Sequence, residues 1–201
     1  NVTTILTAGL DFGSAKTTIN GTLQINNGGF ASTNAPIYAA TSTLIYNGVT
    51  GYGVGNEWTG NATTAGTGNP QNVTLTTSSV NMPASATRAL AGNLNVGTGS
   101  TLNLGTLVGG DLTIGGNLTN SGTFNANTRL VTFGGTTAQT LTGATTFDYL
   151  RVNNSAGLTI NNAVVVTTNL DLTSGKLTLG ANNLTLNAAA SISNATATNY
   201  I

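Results

Sequence analysis

The chain of 201 residues has no Cys and no His, and it balances 5 Lys and Arg against 5 Asp and Glu. The two absences exclude disulfides, thiolate zinc sites, Ser-His triads and imidazole acid–base catalysis. A charged fraction of 5% with no net charge excludes binding to a phosphate backbone and electrostatic attachment to a membrane, both of which need many Lys and Arg.

Hydrophobic residues still make up 39%, enough for a core. No apolar run reaches the length of a transmembrane helix. No basic segment leading into an apolar stretch opens the chain, so it reads as a mature form or an excised fragment. Solubility rests on Thr, Asn, Ser and Gly, and near-zero net charge leaves little repulsion between copies.

Residues 1–30 show a weak pattern of alternation, read as irregular N-terminal coils. Leu23 and Ile25 alternate, Asn26–Gly29 reads as a turn, and Phe30 is an inward candidate; Ile5, Leu6, Leu10 and Phe12 suggest one further coil. Residues 31–89 hold Tyr38, Tyr46, Tyr52 and Trp58. Leu44–Tyr46 and Val73–Leu75 read as strands. The Gly-, Asn- and Thr-rich stretch between them reads as a flap packed by its own aromatics.

Residues 90–201 are the most regular. Asn93-Leu94-Asn-Val96 followed by Gly99-Ser-Thr-Leu102-Asn-Leu104 parallels Asn169-Leu170-Asp-Leu172 followed by Ser174-Gly-Lys-Leu177-Thr-Leu179, with a shorter copy at Asn117-Leu118 and Ser121-Gly-Thr-Phe124. Val164–Val166, Leu170–Leu172, Leu177–Leu179 and Leu184–Leu186 each place two apolar side chains on one face of a strand, with turn residues between them. The expected fold is all-β: a single-stranded parallel β-helix, or β-solenoid, right-handed, with coils of roughly 20 residues and a flap insertion. About nine coils at about 4.8 Å make a rod of about 40 Å. An antiparallel β-sandwich is the alternative, since short strands with regular turns fit it too.

This register puts Arg151 and Asp171 on the outside, one coil apart, as an ion pair. Asp148 is expected to stabilise a turn with Arg151. The acidic residues Asp11, Glu57, Asp111, Asp148 and Asp171 are scattered and form no catalytic or calcium-binding pattern. Tyr38, Tyr46, Tyr52 and Trp58, with Glu57, form either a stacking platform for sugar rings or the small core under the loop. Outward Thr113, Thr159, Thr178 and Thr185 raise a third possibility, ice binding, although their spacing gives no single flat face with paired Thr ranks.

Several stretches in order resemble a known group of proteins: Tyr38–Tyr46, Glu57-Trp58, Pro70–Thr74, Gly92–Leu94, Gly99–Leu102, Gly115–Leu118, Gln139–Gly143, Phe147–Leu150, Asn153–Leu158 and Ser174–Leu177. From Pro36 to Ile201 the chain resembles the β-helical repeat regions of large secreted surface proteins of Bacteroidota and related bacteria, often cargo of type IX secretion. The resemblance implies surface display, adhesion or fibre formation. It also implies that the chain continues past Ile201 towards a sorting domain. It transfers no catalytic residue.

The expected function is therefore non-catalytic and structural: a secreted stalk, surface layer or filament. Its partners are copies of itself or neighbouring domains, and extracellular polysaccharide. Neither a cofactor, nor a metal, nor nucleic acid, nor membrane insertion is expected.

Overall fold

A computed structural model describes residues 3–13 and 17–201. Among these residues there is no helix, and every strand pairs in parallel with a strand one coil away. The spacing of apolar pairs explains this. Each coil returns to its starting face after about twenty residues, so inter-coil side-chain hydrogen bonds such as Asn161 to Thr142 and that of the Asn117 N–H to Asn93 span 19 and 24 residues in the regular coils, and that from Asn72 to Ser42 spans 30 across the flap. The result is a β-solenoid of about nine turns, and the pairing rules out the antiparallel sandwich.

Three long sheets run along the rod, and two two-stranded ladders, Gly9–Leu10 with Phe30–Ala31 and Thr18–Ile19 with Ile37–Tyr38, lie in the first coils. The longest has nine strands, from Thr3–Leu6 through Thr22–Ile25, Thr43–Asn47, Asn72–Thr76, Leu94–Val96, Leu118–Asn120, Gln139–Thr142 and Leu158–Ile160 to Leu177–Thr178. A four-stranded sheet comprises Tyr52–Gly53, Ser79–Asn81, Thr101–Asn103 and Thr123–Asn125. A seven-stranded sheet begins at Arg88–Leu90 and takes in Leu112–Ile114, Leu130–Phe133, Thr145–Asn153, Val164–Ser174, Leu184–Leu186 and Ser191–Ser193.

Period-2 alternation sends one residue in two inward, and parallel pairing stacks them in columns. Leu23, Leu44, Val73, Leu94, Leu118, Leu141 and Ile160 form one such column, and all are buried. Full burial of such a side chain is worth about 1.5–3 kcal/mol. No coil could bury its own residues, so each shields the next.

Outward amides run along the rod. Asn103 donates to Asn81 at 2.8 Å and Asn125 to Asn103 at 2.7 Å. The side-chain oxygens of Asn72, Asn93 and Asn117 each accept a backbone N–H of the following coil. These bonds tie coils together at positions that sheet pairing leaves unmet.

Three expectations change. Val164–Val166 and Leu170–Leu172 are halves of one strand, Val164–Ser174. Thr167 and Thr168 are not a turn but a bulge opposite Asp148, and the Thr167 hydroxyl donates to Asp148 Oδ1 at 2.7 Å. Next, Leu94 and Leu118 share the nine-stranded sheet, whereas Leu170 stacks on Leu150 in the seven-stranded one. The Asn-Leu…Ser-Gly signature marks a strand–turn–strand corner, and a solenoid coil has more than one corner. Third, Phe30 is 48% exposed and Ala31 takes the inward place. The Gly28 turn, at φ +85°, sets the parity there, and the Phe30 ring lies over Gly9, where any Cβ would collide with it. In the neighbouring coil Leu6 and Phe12 are buried, but Ile5 and Leu10 face outward. The outward Thr residues fall as expected: Thr159 and Thr178 share an outward column of the nine-stranded sheet, while Thr113 and Thr185 lie on the seven-stranded one. The four therefore share no single face.

Candidate functional site: the flap and its buried carboxylate

Between Thr43–Asn47 and Asn72–Thr76 the chain leaves the coil, and only Tyr52–Gly53 joins a ladder there, beside Val80 and Asn81. The seven-stranded sheet has no strand at this level, so its edge strand, Arg88–Leu90, would face an empty interior. Trp58 fills that place and is completely buried. Its indole N–H donates to the Ala89 carbonyl at 2.7 Å, and the Ala89 N–H donates to the Gly60 carbonyl at 2.9 Å. The flap thus satisfies a sheet edge that would otherwise be unpaired.

Glu57, next in the chain, is also completely buried. Its Oε1 accepts the Tyr46 hydroxyl and the Gly55 N–H, both at 3.0 Å, and its backbone carbonyl accepts the Tyr38 hydroxyl at 2.7 Å. The Tyr46 and Tyr52 rings are tilted against each other, 5.3 Å apart. Burial holds the Glu57 carboxyl above its ordinary range, partly offset by hydrogen bonds that include those of Gly55 and Tyr46. Burial, reinforced by the charge of Glu57, pushes the hydroxyls of Tyr38, Tyr46 and Tyr52 up. Burial lowers the Arg88 guanidinium, and Glu57 works against that. Glu57 Oε2, the Tyr52 hydroxyl and Arg88 Nε are buried without a hydrogen-bond partner. A small polar centre therefore sits inside an apolar coil, and the ties of Glu57 and Trp58 hold the flap to the strands beneath.

Of the five residues the sequence singles out, Tyr38, Tyr46, Glu57 and Trp58 are 0–1% exposed and Tyr52 is half-buried. Their rings face the interior and offer no platform to solvent.

The other carboxylates act as staples between coils. Asp11 Oδ1 accepts the Gly13 N–H and, from the next coil, the backbone and side-chain amides of Asn34. These bonds, Gly13 first, hold its carboxyl below the ordinary value. Asp111 accepts the Leu130 N–H. Asp148 reaches both ways, to the Thr128 N–H on one side and to Thr167 on the other. It makes no ion pair with Arg151, which turns to the opposite neighbour: Arg151 stacks on Asp171, with Nε–Oδ2 at 2.7 Å. The bulge aims Asp148 away from Arg151. Asp171 also accepts from Thr173 and Asn194. Burial raises its carboxyl, but the bonds from Asn194, Arg151 and Thr173 outweigh this and leave it below the ordinary value. Among the described residues no three Asp or Glu lie together.

One feature escapes the sequence reading. A groove with a volume of about 280 Å³ is lined by Val108, Asp111, Thr128, Arg129, Leu130 and Tyr149. Its only signals in the sequence are the non-alternating Leu107-Val108 before Gly109-Gly110 and the phase break between Phe147 and Leu150.

Compared with known proteins, the chain matches no family model, no curated protein and no solved structure.

Proposed function

We propose that this chain is a non-catalytic structural element of the bacterial cell surface, a shaft that extends a stalk, layer or filament. The supporting observation is where its polar chemistry goes. The four Asp carboxylates each tie one coil to another, Glu57 anchors the flap to Tyr46, and outward amides bond along the rod. In the nine-stranded sheet the edge strand Thr3–Leu6 has a ladder neighbour on one side only, whereas at the other edge the Leu177 N–H donates to the Tyr200 carbonyl and Asn199 bonds Thr173 and Gly175. The first edge accepts a further coil or a second copy as it stands, the other once residues 199–200 give way, and a head-to-tail contact of this kind does not close. Placement on the bacterial surface rests on the resemblance to secreted repeat regions described above.

Electron microscopy of the purified protein, with sedimentation over a concentration series, tests the reading. End-to-end rods or filaments that grow with concentration are expected. Monomers at every concentration overturn self-association. Cleavage of the chain by protease added to intact cells of its source organism tests the surface placement; full protection would sink it.

A further inference from the structure

The groove beside Tyr149 has features that the shaft does not need. Tyr149 is 37% exposed and Val108 is 86% exposed; away from the first and last coils, these two and Leu107 are the exposed large apolar side chains among the described residues. The bulge at Asp148 is what turns Tyr149 outward. Asn127 and Thr128 both adopt positive φ, +50° and +60°. For a β-branched residue such as Thr128 this conformation is strained, and strain of that kind clusters at functional sites. It is held in place. Asp148 Oδ2 accepts the Thr128 N–H at 2.7 Å, and Arg129 Nη2 donates to the Thr128 hydroxyl at 2.8 Å.

Those contacts fix the Arg129 guanidinium at the rim of the groove. Arg129 has no carboxylate partner among the described residues, where the only ion pair is Arg151–Asp171. Asp111 uses one oxygen on the Leu130 N–H and keeps the other free of the described chain. The groove thus presents an aromatic wall, two aliphatic side chains, one planar donor and one acceptor. Its volume is at the small end of ligand pockets, roughly 300–1,000 Å³.

An aliphatic ligand would strip water from both charges without replacing their hydrogen bonds. A phosphate would meet Asp111. A sugar ring offers what the groove asks for: a C–H face for Tyr149 and hydroxyls that both donate and accept. One charge of each sign on the lining leaves no net charge, which suits an uncharged sugar. We propose that this groove is a subsite for one ring of a neutral extracellular polysaccharide, with the ring stacked on Tyr149 and its hydroxyls bonded to Arg129 and Asp111. The proposal does not depend on self-association, since it concerns the side of the rod and not its edge strands.

The test is a printed array of neutral and uronic-acid-containing oligosaccharides probed with the full chain, followed by titration calorimetry on the best neutral binder. Wild type is expected to bind neutral glycans. Tyr149→Ala and Arg129→Ala are each expected to weaken binding at least about tenfold, the effect of losing one stacking or charge-assisted contact, while Tyr149→Phe keeps the affinity. Circular dichroism melts confirm that each variant folds, and Val108→Arg, which blocks the groove from an exposed position, gives an independent check with the same expected loss. Four results overturn the proposal: no glycan binding, binding confined to acidic glycans, binding indifferent to Tyr149→Ala, or a Val108→Arg change in oligomeric state without any sugar affinity, which would make the groove a contact between copies.

Discussion

In the coils from Leu112 to Leu172 the interior is filled mainly by aliphatic columns and by Phe124, Phe133 and Phe147, stacked coil on coil, and its buried polar side chains, Gln139 on Asn154 and Asn120 on Thr145, are neutral and bonded to each other. Around the flap the same interior holds Tyr38, Tyr46, Trp58 and a carboxylate. The difference follows from the backbone. Where every coil supplies its strands, modest side chains suffice, because ladder bonds take care of the main chain. Where the seven-stranded sheet has no strand, one large side chain must fill the volume and also meet the exposed backbone groups, and only residues such as Trp and Tyr do both.

A second transition makes the same point with smaller means. The four-stranded sheet stops at Thr123–Asn125, and the following coils use long strands of 9 and 11 residues instead. Phe124 packs against Phe147 there, with ring centroids 5.7 Å apart.

The sharpest way to break this contrast is to truncate one residue in each region. Trp58→Ala removes the flap's main anchor and leaves the Ala89 carbonyl unpaired, with an expected loss of about 3–5 kcal/mol. Leu118→Ala opens a cavity in a regular column and should cost about 2–5 kcal/mol. Urea denaturation followed by tryptophan fluorescence for Leu118→Ala, and by circular dichroism for both, measures the two. If Trp58→Ala costs less than Leu118→Ala, the flap is an ornament and not part of the core.

The buried carboxylate gives the next largest effect and the clearest sign. Because the folded pKa of Glu57 is raised, the fold prefers its protonated form. Its contribution is fully present below the ordinary Glu pKa, about 4.3, and falls as pH rises from there through the raised folded value. Asp11 and Asp171 are shifted the other way, so their contributions are lost as pH falls. The diagnostic quantity is therefore the difference between wild type and Glu57→Gln, measured as Tm against pH. Relative to the variant, wild type should gain stability on acidification across that window. A constant difference would mean that Glu57 is not buried as described.

The smallest effect belongs to the regular region. Arg151→Ala breaks a pair whose Arg is 40% exposed although its Asp is only 9% exposed, and its loss should fall at the upper end of the about 0–1 kcal/mol of surface pairs. Asp171→Ala should cost more, because it also strands Thr173 and Asn194. Equal costs in urea titrations would show that the ion pair, and not the three-way acceptor, is the staple.

Much of the shaft was legible beforehand because its cause is local. Apolar pairs at i and i+2, Asn and Gly at turns and a recurrence near twenty residues suffice to give stacked coils, about nine of them, and to set Arg151 opposite Asp171. Corners were harder to read. The Asn-Leu…Ser-Gly unit looks the same at Leu94 and Leu170 although the two lie on different sheets, because a corner's sequence records its turn and not which side of the rod it is on. A single extra residue, as at Thr167-Thr168, changes which side chains face outward without changing the composition at all.

What the sequence determined by itself, then, is the periodic part: strand alternation and turn chemistry act over a few residues and need no partner to be read. What only the tertiary structure decided are the places where distant segments meet. Trp58 beneath the Ala89 carbonyl, Glu57 against Tyr46, and Tyr149 beside Arg129 and Val108 are contacts across a coil or more. They depend on where an absent strand leaves a void and where a bulge turns a ring outward. Those are properties of the stacked coils taken together.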